Sequence, residues 1–367
     1  MMKYIFLKSL HRLDNAMKKA FLYAYDRQNL GDDLFVHAIT RRYPDVQFYM
    51  WSDRKNQQTF RCLPNLKVLD QDSRFVHLLR RLRPSLAARY RSIIEGSCDA
   101  VVYIGGSIFM EYPNWEIICT WWDWTSKNRP FYVLGANFGP WHTEAYRAKM
   151  EEIFRDCRDV CFRDQYSAGL FPGVVRCAPD ILYSYPMPKV PVKEDQIFVS
   201  VINCAGRDES HNLNEHDGRY VSNMAALLGQ LLNEGKKIVL ASFCREEGDE
   251  EGVQKILEAM GGKQDPRIRV LCYDGTNTEE LTRAMAESCG VIGTRFHATI
   301  LAMAAGRPVL PIIYSDKTKH VLEDLGFTGT MYDLRENTPW TSAEMAAAIA
   351  PISESQKHFK KLDSILM

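Results

Sequence analysis

Short apolar runs, each closed by a glycine or a polar loop and followed by a helical pattern, recur along the whole chain. Ala20 to Tyr25 reads as a strand, Asp32 to Tyr43 as a helix and Val46 to Met50 as the next strand. Ala100 to Ile104 is a buried-type run ending in Gly105-Gly106, and Phe131 to Leu134 another ending at Gly135. Val160 to Phe162 and Val174 to Cys177 are shorter. A second set follows, with strands at Ile197 to Ile202, Lys237 to Ser242, Ile268 to Cys272, Gly290 to Ile292 and Pro308 to Leu310. Helical patterns fall between them at Tyr220 to Glu234, Glu250 to Met260, Thr278 to Ser288 and His297 to Ala305. Such alternation predicts parallel sheets covered by helices.

Between the sets lies Pro179 to Pro191, whose four prolines oppose a helix or a central strand. It reads as a linker, which divides the chain into domains 1–185 and 192–367. A length of 367 residues suffices for both. The expected fold is α/β, with two Rossmann-type domains facing a cleft. Ligands in such sheets bind where strands end, so the loops after strands are where chemistry is sought.

Composition removes some functions. Lys+Arg and Asp+Glu are equal at 46 each, so net charge gives no reason to expect a nucleic-acid partner. Ten cysteines occur without a CxxC pair, which fits reduced thiols and a cytoplasmic location. No His/Cys/carboxylate cluster suggests a metal, and none is expected. No apolar run is long enough to span a bilayer. The opening run Tyr4 to Leu7 is too short for a signal peptide.

The sharpest local signal is Gly293 to Gly326. A buried strand runs into Thr294, Arg295 and His297, and a helix begins at once. Free N–H groups and the helix dipole favour an anion there. Arg295 is suited to grip a phosphate or carboxylate, and His297 to act as acid or base near neutral pH. The strand that follows delivers Lys317 and Lys319 to the same rim. The plainer alternative is an Arg295 paired with an acidic neighbour and a His297 that caps the helix.

Tyr25 to Ile39 repeats the strand-to-helix layout. Gly31 permits a tight turn, Asp32 or Asp33 caps the helix, and Asn29 and Asp32 can meet a sugar hydroxyl. After the strand at 100–104, Gly105 and Gly106 allow a ligand close to the backbone. Asn137 follows the strand at 131–134. Arg163 and Asp164 end the strand at 160–162, where Arg163 either faces the cleft or pairs locally with Asp164.

Together these elements resemble the polysaccharide pyruvyl transferase family. Its Asn-x-Gly-Asp element is matched by Asn29, Gly31 and Asp32, and its Gly-Gly turn by Gly105 and Gly106. Its Arg-Asp-x-x-Ser element is matched by Arg163, Asp164 and Ser167, and its Ala-Pro-Asp step by Ala178, Pro179 and Asp180. The most specific element is Arg295, His297 and Ala298, then Gly306 and Pro308, then Tyr314 and Lys317. One departure is Ser107, where members often carry a third glycine.

The resemblance implies a GT-B-like fold, with an acceptor side in 1–185 and a phosphoenolpyruvate side in 192–367. It implies transfer of the pyruvyl group of phosphoenolpyruvate to two hydroxyls of a hexose, with release of phosphate. The expected product is a 4,6-ketal, with galactose as first choice, in a lipid-linked or polymeric capsular or exopolysaccharide. His297 is then the acid toward C3, Arg295, Arg163 and Lys317 hold the anionic groups, and Asp32 serves as base. Asn29, Gly31, Gly105, Gly106, Asn137 and Thr294 complete the binding set. No cofactor beyond the donor substrate is expected.

Arg74 to Arg91 holds six arginines and no acid, with Val76, Leu79, Leu82 and Leu86 near helical spacing. Such a segment suits anionic lipid head groups, and so an acceptor on a polyprenyl diphosphate at the inner face of the cytoplasmic membrane. The stripe Phe6, Leu10, Leu13 and Met17 has the same character. A solvated helix or subunit contact is the alternative. The rival functions are a GT-B glycosyltransferase using a sugar nucleotide and a non-catalytic sugar-binding module. Glu279 and Glu287 show a spacing seen in retaining glycosyltransferases, but on the wrong helix.

Overall fold

Apolar runs that lie between two neighbours on a sheet pair in parallel and bury both faces. In the computed structural model, which describes residues 17–205, 213–262 and 265–367, this happens twice. The first sheet holds β1 (Lys19–Tyr23), β2 (Gln47–Ser52), β3 (Leu66–Asp70), β4 (Ala100–Ile104), β5 (Phe131–Ala136), β6 (Asp159–Phe162) and β7 (Arg176–Cys177). Their order is β3-β2-β1-β4-β5-β6-β7, and every pairing is parallel. The second holds β8 (Lys193–Val201), β9 (Lys237–Ser242), β10 (Ile268–Cys272), β11 (Ser288–Gly293), β12 (Val309–Ile313) and β13 (Tyr332–Asp333), in the order β10-β9-β8-β11-β12-β13. Both sheets are thus doubly wound, as expected. Each reverses direction once, between β1 and β4 and between β8 and β11, which opens a crevice at those strand ends.

The reading of the linker needs correction. Ile181–Ser184 forms a single 3-10 turn, and Asp180, Ile181, Leu182 and Tyr183 are buried. Their side chains are apolar or paired, so this half of the proline-rich stretch packs under the helix Phe296–Ala304. The chain first crosses between the units at 186–192.

The chain also returns. Ile352–Ser355 and Lys360–Leu366 are short helices that lie on the first unit, although the division at 192 assigns them to the second. Phe359, Leu362 and Leu366 are buried there. Asp363 accepts hydrogen bonds from Arg42 at 2.8 Å and 3.0 Å and from Tyr43 at 2.7 Å. An apolar face this small finds its partner only in the folded molecule, not in its own sequence.

The basic segment is two helices, Arg74–Leu82 and Pro84–Glu95, broken at an extended Arg83. Phe6, Leu10 and Leu13 lie outside the described residues. All ten cysteines are free thiols.

Candidate active site

The two crevices face each other across a cleft of about 640 Å³, lined from both units. Its floor is built around Arg163, at the end of β6. This guanidinium is buried, donating from Nη1 to Asp180 at 3.0 Å and from Nη2 to Asn137 Oδ1 at 2.7 Å. It lies 4.2 Å over the Phe296 ring. Its partner is therefore not Asp164, which instead caps the helix Gln165–Gly169 by accepting from Ser167 N at 2.7 Å. Gly106 makes room: a Cβ there would come within 2.7 Å of Arg163 Nη1. Gly105 turns the chain at φ +155°, a region that side-chain-bearing residues rarely adopt.

Arg295 precedes the helix Phe296–Ala304, and its side chain turns to the β9 loop. It donates from Nε to Asp249 Oδ2 at 2.8 Å and from Nη1 to Glu247 Oε2 at 2.6 Å, and Nη2 also bonds Asp249. Burial works against its charge, but Asp249 and Glu247 outweigh that and hold the pKa well above the ordinary arginine value. The acidic pairing left open from sequence is thus present. Thr294 sits behind, its amide donating to Ser200 Oγ at 3.0 Å, and does not line the cleft.

His297 does not cap the helix; its ring enters the cleft. Nε2 lies 3.4 Å from Arg163 Nη1, and Phe35 meets the ring edge-on at 5.2 Å between centroids. Gly31 was read as a turn glycine, but it is helical, and its role is spatial. A Cβ on it would lie 1.9 Å from His297 Nδ1. The cap of that helix is Asn29, accepting from Gly31 N at 3.1 Å, rather than Asp32 or Asp33. Burial first, then Arg163, Lys317 and Arg295, push the His297 pKa well below the ordinary value.

Asp32 lies on the opposite lip. Burial and then the Glu247 carboxylate raise its pKa to about 7, against Arg163, Lys317 and Arg295. Lys317 comes from the helix after β12 and donates to Ser107 Oγ at 3.2 Å. Ser107, the departure from the family pattern, therefore links the two units, and also donates to Asn137 at 3.3 Å. Lys319 is exposed and outside the cleft. The cleft thus gathers Asn29, Asp32, Gly105, Gly106, Arg163, Arg295, His297 and Lys317, with Asn137 and Gly31 directly behind.

Sequence reasoning missed Glu246 and Glu247, which line the cleft, and the wall of Tyr103, Met110, Tyr112 and Trp122. Both glutamates follow β9 and precede the helix Asp249–Ala259, so the strand-end rule was the available signal. Glu279 and Glu287 do not line the cleft.

A family model described as polysaccharide pyruvyl transferase matches residues 29–316. The chain belongs to that family. The amylovoran biosynthesis protein AmsJ of Erwinia amylovora is 23% identical over 261 residues, 65% of this chain and 62% of its own length. The chain thus spans somewhat under two thirds of that relative. Among solved structures, HepE of Anabaena in complex with UDP and glucose has a TM-score of 0.52 at 13% identity, over 95% of this chain and 92% of its own. The UDP-GlcNAc 2-epimerase of Methanocaldococcus jannaschii has a TM-score of 0.54 at 9% identity, over 95% and 100%. These likenesses concern the fold, which is GT-B-like.

Proposed function

We propose that this pyruvyl transferase takes phosphoenolpyruvate as donor and forms a 4,6-ketal on a hexose, with galactose first, of a cell-surface polysaccharide. The observation that carries the reading is the family match laid over a cleft where Arg163, Lys317, His297 and Asp32 converge from both units. Phosphoenolpyruvate brings a phosphate and a carboxylate to Arg163 and Lys317, fixed cations in a partly desolvated site. Arg295, already balanced by two carboxylates, shapes this field more than it grips the donor.

Burial and then the Arg163 and Lys317 cations hold the His297 pKa low. Donor negative charge offsets those cations, which raises the pKa and favours a protonated His297 in the bound state. It then gives that proton to C3, and positive charge develops at C2. A sugar hydroxyl attacks C2, and its proton passes to Asp32, which is half ionised near pH 7. The second hydroxyl replaces phosphate at C2: the C2–O bond to phosphate breaks, and the departing phosphate takes the hydroxyl proton. The tyrosines and Trp122 of the first unit offer apolar faces to the sugar ring.

Calorimetric titration of phosphoenolpyruvate into wild type and Lys317→Ala, beside UDP-glucose and UDP-galactose, tests the donor. Binding of phosphoenolpyruvate that the variant loses supports the reading, as does phosphate release on adding a galactose-containing acceptor. Binding of a nucleotide sugar instead replaces it with the glycosyltransferase.

A further inference from the structure

The helical pair Arg74–Leu82 and Pro84–Glu95 plays no part in the cleft. Its inward contacts are made by Val76, Ala87 and Glu95, all buried, with Leu79, Tyr90, Arg91 and Ile94 half-buried. Val76 and Leu79, read from sequence as part of a membrane stripe, thus belong to the packing side. The outward side is still apolar. Phe75, Leu78 and Leu82, at i, i+3 and i+7, are 54%, 52% and 62% exposed, and Leu86 is 37% exposed. Scattered exposed leucines need no explanation, but three large apolar side chains on one side of the first helix, of which Phe75 also meets the Tyr90 ring, with Leu86 and Ile93 bare on the second, do.

The charge carried by this face is all of one sign. From 74 to 94 there are six arginines and no acid. Arg74, Arg80, Arg81, Arg83 and Arg89 are exposed, and none forms an ion pair among the described residues. A polyanion in water would use the arginines and leave the leucines wet. A second copy of the chain would bring like charges together. An anionic bilayer uses both, with arginines at the head groups and apolar side chains at the acyl boundary.

We propose that the outward face of these two helices is a docking surface for an anionic lipid bilayer. The position is functional. β3 ends at Asp70 and the first helix starts at Arg74, so the helix begins at the strand-end rim that also carries the cleft. Docking there holds the cleft mouth beside the membrane. The surface does not depend on which donor the enzyme takes.

The test is flotation of the full chain with vesicles of phosphatidylcholine alone, or with phosphatidylglycerol added. The protein is expected to float only with the anionic vesicles and to be released by high salt. Arg81→Glu with Arg83→Glu should weaken partition by at least about tenfold. Leu78→Ser with Leu82→Ser should also weaken it, with melting curves of both variants unchanged because the positions are exposed. Flotation with neither vesicle, equal flotation with both, or wild-type flotation of the arginine variant would overturn the proposal. So would a leucine variant that alters only the oligomeric state in sedimentation, which would make a second copy the occupant.

Discussion

At Gly31 a single methyl group would overlap the His297 ring, and at Gly106 it would overlap the Arg163 guanidinium. Gly31→Ala and Gly106→Ala should each lower kcat/KM by about 100-fold through misplacement of about an ångström. Steady-state kinetics beside thermal melts would check this, since a folded but slow enzyme is the expected outcome. Asp32 makes a pH prediction. As a base it must be ionised, so kcat/KM rises as pH climbs through about 7, and Asp32→Asn should flatten that limb. The sign for stability is opposite. The folded carboxyl holds its proton above the roughly 3.9 of an unfolded aspartate, so its ionisation penalises the fold increasingly as pH rises from there through about 7. Asp32→Asn should therefore raise the melting temperature more at pH 8 than at pH 5. Arg295→Ala strands the buried Asp249 and should cost about 3–5 kcal/mol, measured by denaturant unfolding, with Asp249→Asn recovering part. Arg295 and His297 were legible because both fall where a strand becomes a helix. The partners of Arg295 were not, because they lie 46 and 48 positions away and meet it only through sheet order.

Among the elements, β4, β9 and β10 stand where their residues suggest. The first two are nearly continuous apolar runs, and a strand covered on both faces has no polar side to blur its signal. β3 went unread because it is an edge strand, where Lys67 and Asp70 break the apolar pattern. The arginine-rich segment was legible as helical, but its inward and outward sides were not. Helical spacing groups Val76 with Leu82, and only packing shows that one is covered and the other bare. The terminal helices were illegible for a different reason, since their partner surface is made by residues more than 170 positions earlier. Leu362→Ala should lower stability by about 2–5 kcal/mol in denaturant unfolding, a core-sized cost from the last turns of the chain.

At the scale of the molecule, the units touch through more than the cleft. Tyr273 of the second donates to Asp33 of the first at 2.7 Å and meets Thr59 at 2.8 Å, all buried. Glu246 reaches Lys55 and Arg27 across the rim. Tyr273→Phe leaves the buried Asp33 with one acceptor fewer satisfied and should lower the melting temperature at high pH more than at low pH, because Asp33 takes up its proton readily there. The return of residues 352–366 adds a topological fact: the backbone passes between the halves twice. One cut at Lys189, in the exposed crossing, therefore releases neither half. The C-terminal fragment keeps its tail clasped on the N-terminal one, so the nicked protein should migrate as one species on a sizing column and part only in denaturant. The same anatomy makes the crossing a natural split point: two separately expressed pieces would rebuild the enzyme without a tether, and signal by doing so.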